Sequence, residues 1–143
     1  MESSSYITFG CQIGGPKAGE VMQPHLIKLS LLLDKYCDYP YSNDVDEFAP
    51  IGRIDGNIYY WKFEGCEKLR LSKKYRYITV DIGMPKSRWE EKSDYEIREY
   101  LINCFQEALS LIVKRLKKEK FSIDDKKLFT DFEKVKVDYL QIN

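Results

Sequence analysis

The stretch from Ser93 to Lys120 constrains this chain more than any other. Ser93-Asp94-Tyr95-Glu96 is a capping box, in which the serine accepts from the third amide and the glutamate returns the bond. Ile97, Leu101, Cys104, Phe105, Ala108, Leu111, Ile112 and Leu116 then recur in steps of three and four, the spacing of one helix face. Acids crowd the first turns and "KRLKKEK" the last, so the charges complement the helix macrodipole. From Asp94 to Lys120 such a helix spans about 40 Å at 1.5 Å per residue. A rod of that length with one apolar stripe must lie against something wide.

The wide partner is a sheet. Ser5 to Ile13 alternates, with Ile7, Phe9, Cys11 and Ile13 on one side, as a half-buried strand does. Gly14, Gly15, Pro16 and Gly19 are expected to break it. Pro24 suits the start of a helix carrying Leu26, Ile27, Leu29, Leu32 and Leu33 and ending near Cys37. "PIGRI" and "NIYYWKF" flank Asp55-Gly56, a dipeptide suited to a tight hairpin. Gly65 leads into "KLRLS", and Lys73-Lys74 turns the chain into "YRYITVDIG". A last helix is expected after Ser122 with Leu128, Phe132, Val135 and Tyr139 on its inner face. The expected fold is α+β: an antiparallel sheet of four to five strands with a central meander, and helices packed on one face. At 143 residues with no linker or repeat, residues 1–143 read as a single domain.

Composition narrows the classes. The chain is 43% hydrophobic and 32% charged, too apolar for disorder and too charged for a membrane protein. No membrane contact is expected, since no apolar run approaches the ~20 residues of a bilayer span. Met1-Glu2-Ser3-Ser4-Ser5 has neither a basic nor an apolar leader region, so a cytoplasmic location is expected. Cys11, Cys37, Cys66 and Cys104 are scattered and fit reduced core thiols. Net charge is zero, yet residues 1–60 hold eight acids and four bases while residues 61–143 hold fifteen and nineteen. The molecule should have an acidic and a basic end.

Motifs for chemistry fail on inspection. The one histidine, His25, sits at an expected helix start and reads as a cap-region or surface residue. One histidine and unclustered cysteines leave no usual zinc set. A calcium loop counted from Asp44 would need a glycine sixth and a glutamate twelfth, where Ala49 and Asp55 stand. "GCQIGGPKAGE" lacks the contiguous Gly-Lys-Ser/Thr of a phosphate loop, because Pro16 intervenes and Ala18 has no hydroxyl. No catalytic, cofactor or metal residue is therefore assigned, and no enzyme activity is expected. "SKKYRYITV" partly fits the third strand of an RNA-recognition motif through Lys73, Tyr75, Tyr77 and Ile78. Lys74 and Arg76 occupy its small-residue positions, however, and Val80 replaces its last aromatic. A nucleic-acid-binding or regulatory module using the basic and aromatic 73–77 strand stays as the alternative function.

"DEFAPIGRIDGNIYYWKFEG", "LRLSKKYRYITVDIGMPKSRW" and the long helix together resemble small bacterial immunity proteins. These are encoded beside polymorphic or contact-dependent growth inhibition toxins, and the likeness covers about residues 46–120. The resemblance implies a cytosolic antitoxin without catalysis, which binds and neutralises one cognate toxin domain, often a nuclease; a monomer in a one-to-one complex is expected. It supplies no contact residues. The residues themselves offer one candidate surface: Asp34, Asp38, Asp44, Asp46 and Glu47 fall within fourteen residues holding one base, Lys35. Tyr36, Tyr39 and Tyr41 are interleaved with them, and Tyr39 and Tyr41 are the candidate anchors. Carboxylates can mimic the phosphates a nuclease cleft expects, and tyrosines anchor interfaces. A solvated loop with its tyrosines folded onto the sheet would read the same way. The loop is expected to lie outside the core.

Overall fold

The computed structural model describes residues 8–9, 16–45, 47–53, 65–83 and 88–142. It is α+β, with β1 (Thr8–Phe9), α1 (Pro16–Tyr36), β2 (Glu47–Arg53), β3 (Gly65–Ser72), β4 (Tyr77–Gly83), α2 (Asp94–Lys118) and α3 (Asp125–Leu140) in chain order. The capping box forms as expected: Glu96 N donates to Ser93 Oγ at 3.1 Å and Ser93 N to Glu96 Oε1 at 3.0 Å. α2 stops two residues early because Lys120 takes a left-handed conformation, φ 67°. Phe121 N then donates to Leu116 O and Lys120 N to Lys117 O, the paired bonds of a Schellman ending.

The strands depart from the expected antiparallel meander. Their order is β1-β2-β4-β3, and β2 runs parallel to both β1 and β4. Among the described strands only β3 and β4 pair antiparallel. The reason lies in the connections. Adjacent parallel strands need a crossover, usually a helix, and α1 between β1 and β2 supplies one. β3 then takes the edge beyond β4, so β2 neighbours β4 rather than the next strand in sequence. The hairpin expected at Asp55-Gly56 lies outside the described residues. The β3–β4 hairpin turns at 73–76, and Arg76 there takes φ 59°. "SKKYRYITV" is thus the end of one strand, a turn and the start of the next.

Ile78, Val80 and Ile82 of β4 enter one core with Ile97, Leu101, Phe105, Ala108 and Ile112 of α2. On the opposite side of β4, Asp81 is fully buried and takes both guanidinium nitrogens of Arg70, at 3.3 and 3.2 Å. α2 buries a wider stripe than the heptad steps imply, adding Ile102, Leu109 and Val113. It touches β2, β3 and β4 and also α3, so two sides of it need apolar cover. Leu128, Phe132, Val135 and Tyr139 of α3 are buried as expected.

α1 differs most. It begins at Pro16, runs through Gly19, and holds Pro24 in its interior. Pro16 occupies the helix-start position that suits proline, so Pro24 is not needed there. His25 consequently sits in mid-helix and is buried, not a cap or surface residue. Its carbonyl accepts from Tyr139 Oη at 2.8 Å. Ile27, one of the apolar positions read for this helix, is 50% exposed.

Candidate partner-binding surface

The acidic, tyrosine-rich stretch divides at Pro40. Beyond it the chain turns into the core. Tyr41 is 2% exposed and donates from its hydroxyl to Asp131 Oδ2 at 2.6 Å. Lys127 Nζ satisfies the other oxygen of Asp131 at 3.2 Å. Burial pushes the Tyr41 phenol well above its ordinary range, and the bond to Asp131 adds to this. The neighbouring Cys37 thiol is pushed up to about 12, again chiefly by burial. Tyr41 therefore belongs to the core and not to an exposed interface. Its carbonyl takes the Asp124 amide at 2.7 Å, which ties this loop to the start of α3.

Ser42 and Val45 are buried too, so part of the loop expected outside the core is inside it. Asp44 is exposed but occupied. Its Oδ2 accepts from Ser122 N at 2.6 Å and Ser122 Oγ at 2.9 Å, and these bonds hold its carboxyl below the usual range. The Arg76 guanidinium reaches the Asn43 and Asp44 carbonyls from the β3–β4 turn. That contact helps offset the left-handed backbone at Arg76, which costs a non-glycine residue about 1 kcal/mol.

Before Pro40 the picture reverses. Asp34 and Asp38 are exposed and form no ion pair among the described residues. Tyr39 is 37% exposed; its ring lies 5.1 Å from that of Tyr41, and Lys127 Nζ stands 5.1 Å from its centre. Asp46 lies outside the described residues. Glu47 is in β2, where its backbone alone is described.

Two exposed apolar residues that sequence reasoning missed lie next to these acids on α1. Ile27 is 50% and Leu31 63% exposed. With Gln23, Leu26 and Ser30 they line a dimple of about 170 Å³. The signal was present in the sequence: 27, 31, 34 and 38 follow one another by four, three and four, which is a single helix face. A larger depression of about 840 Å³ lies along α3, lined by Tyr36, Phe129 and Val137 but also by Lys126, Lys134, Glu133 and Asp138. Its charges are of both signs, and Asp138 already accepts from the Tyr36 hydroxyl.

The residues of the alternative function lie in and beside the β3–β4 turn. Lys73 Nζ pairs with Glu119 at 3.6 Å, Arg76 is held by the 43–44 carbonyls, and Tyr75 projects from the turn, 66% exposed. Tyr77 is the first residue of β4, so Tyr75 and Tyr77 do not share one strand. No group of three or more His, Cys, Asp or Glu residues among those described could hold a metal ion. Among the described residues no helix is long and apolar enough to cross a membrane.

The comparison with family models now places the chain. It is one of the immunity proteins of polymorphic toxin systems. It belongs to the family Immunity protein 44, whose model it matches over residues 5–138. No curated protein and no solved structure matches it.

Proposed function

We propose that this chain is the antitoxin of a contact-dependent or related toxin system. It acts in the cytoplasm, binds one cognate toxin domain as a monomer, and neutralises it by occupying its surface rather than by chemistry of its own. The toxin is a nuclease whose basic cleft meets Asp34, Asp38 and Tyr39, with Asp46 and Glu47 continuing the acidic run along the chain. Asp44 adds negative field, while its hydrogen bonds stay with Ser122. The observation that carries this reading is the pair of carboxylates, Asp34 and Asp38, left unpaired among the described residues at the end of α1, beside a half-exposed tyrosine. Family membership implies a toxin partner, and unpaired carboxylates are what a cationic cleft attracts.

The test is a mixing experiment with the toxin domain encoded beside this chain. Neutralisation should be complete near an equimolar ratio, with an affinity of roughly nanomolar or better. Toxin activity that persists at twofold excess of this protein would remove the antitoxin reading. Inhibition of a toxin without nuclease activity would remove the nuclease part alone.

A further inference from the structure

A helix packed in a core usually turns a mostly polar face outward, and α1 exposes two large aliphatic side chains one turn apart there. Its inner face is filled by Met22, Leu26, Leu29 and Leu33, all buried. Its outer face carries Ile27 and Leu31, then Asp34, with Asp38 just past the helix end. Gln23 to Asp34 spans about 16 Å at 1.5 Å per residue, the footprint of one side of a small interface. The apolar half holds the dimple, and the acidic half holds carboxylates that pair with nothing among the described residues. Tyr39 closes the acidic end, its ring set against the buried Tyr41. The depression along α3 has no such division, because its lysines are mixed with Glu133 and Asp138.

We infer that the outer face of α1 is the docking surface for the toxin, and that it reads an amphipathic patch with one apolar knob and a basic flank. This deepens the proposed function and rests on it. The knob, a single large apolar side chain of the toxin, seats in the dimple between Leu26, Ile27 and Leu31. Lysine or arginine beside the knob meets Asp34 and Asp38. The division of labour follows from the physics. A desolvated apolar contact at the centre holds the complex together and sets the off-rate. Exposed charges at the rim steer the encounter and set the on-rate and its salt dependence. The acidic end selects a cationic partner.

The experiment measures association and dissociation rates on the immobilised toxin domain encoded beside this chain. Ile27→Asp combined with Leu31→Asp should raise the off-rate roughly tenfold or more. Asp34→Lys combined with Asp38→Lys should lower the on-rate and flatten its salt dependence. Val137→Asp, on α3 and 45% exposed in the parent, should change neither rate. Melting curves show whether each variant folds; should the first double variant not fold, Leu31→Asp alone decides, since that side chain is 63% exposed. A folded apolar-face variant with unchanged rates overturns the inference while leaving the antitoxin reading intact. So does light scattering that shows the wild type self-associating through this face, with the double variant monomeric. A wild type that fails to bind the toxin at all fails at the earlier step, and takes both readings with it.

Discussion

Residues 34–39 and residues 41–45 both carry aspartate and tyrosine, yet they are built into the molecule in opposite ways. The first group ends a helix and, with Cys37 buried and Tyr36 bonded to Asp138, leaves Asp34, Asp38 and Tyr39 toward solvent, the two acids unpaired among the described residues. The second is stitched to three parts of the chain: Tyr41 to α3, Asp44 to the α2–α3 connection, and the Asn43 and Asp44 carbonyls to the β3–β4 turn. Composition says which residues could bind a partner. It does not say which are already taken. Carboxylates without partners inside the molecule are the ones available outside it.

The largest effect should come from the loop side of this division. Tyr41→Ala removes a buried ring and leaves Asp131 Oδ2 without its donor, so a loss of about 3–5 kcal/mol is expected. The melting temperature should fall by roughly 10 °C or more. A melting temperature within two or three degrees of wild type would move Tyr41 back among the surface residues. Tyr41→Phe keeps the ring and loses the hydroxyl alone. It should cost about 1–2 kcal/mol, since Lys127 still serves the other oxygen of Asp131.

The two faces of α1 offer a sharper contrast. His25, on the inner face, has its pKa lowered from 6.5, first by burial, against the opposing pull of Asp94 at 3.5 Å and with Arg98 and Lys28 adding to the lowering. Its Nδ1 is buried without a hydrogen-bond partner among the described residues. The folded state therefore takes up the proton less readily than the unfolded chain. The stability held above pH 6.5 is lost as pH falls through that value towards the lower folded one. Urea midpoints at pH 7.5 and 5.5 should show the decline, and His25→Gln should reduce it. An undiminished decline in that variant would place its source elsewhere.

Smaller again is Asp44→Ala. Two hydrogen bonds to Ser122 are lost at an exposed site, so about 0.5–1 kcal/mol is expected by denaturant titration. The Asp44 carboxyl titrates below its ordinary value of 3.8, so this contribution is present above that pH and disappears on acidification through the lower folded value. Smallest of all is Asp34→Ala, which should change stability by no more than about 0.5 kcal/mol. A clear loss of stability there would show that Asp34 has internal work, and would erase the contrast with Asp44.

Much of the fold was legible because its signals are local. A capping box and its following stripe lie within a few turns, and α2 and the inner face of α3 formed where the periodicity put them. The family likeness was legible for a related reason, since the order of elements and the β3–β4 segment persist in the chain whatever they contact. What failed to show was nonlocal. Whether β2 pairs with β3 or with β4 depends on which edge is free once α1 has carried the chain across. Pro24 reads as the start of α1 and Pro16 as a break after the strand, because a proline's local preference does not tell a helix start from a turn. Ile27 and Leu29 are equally apolar, but one faces solvent and the other the core. Tyr39 and Tyr41 are two residues apart, and only the second meets a carboxylate, on a helix 90 positions further along. Periodicity records the short-range preferences of the backbone; burial and pairing are settled by segments far away in sequence, and those alone decided which acids and which tyrosine stay exposed.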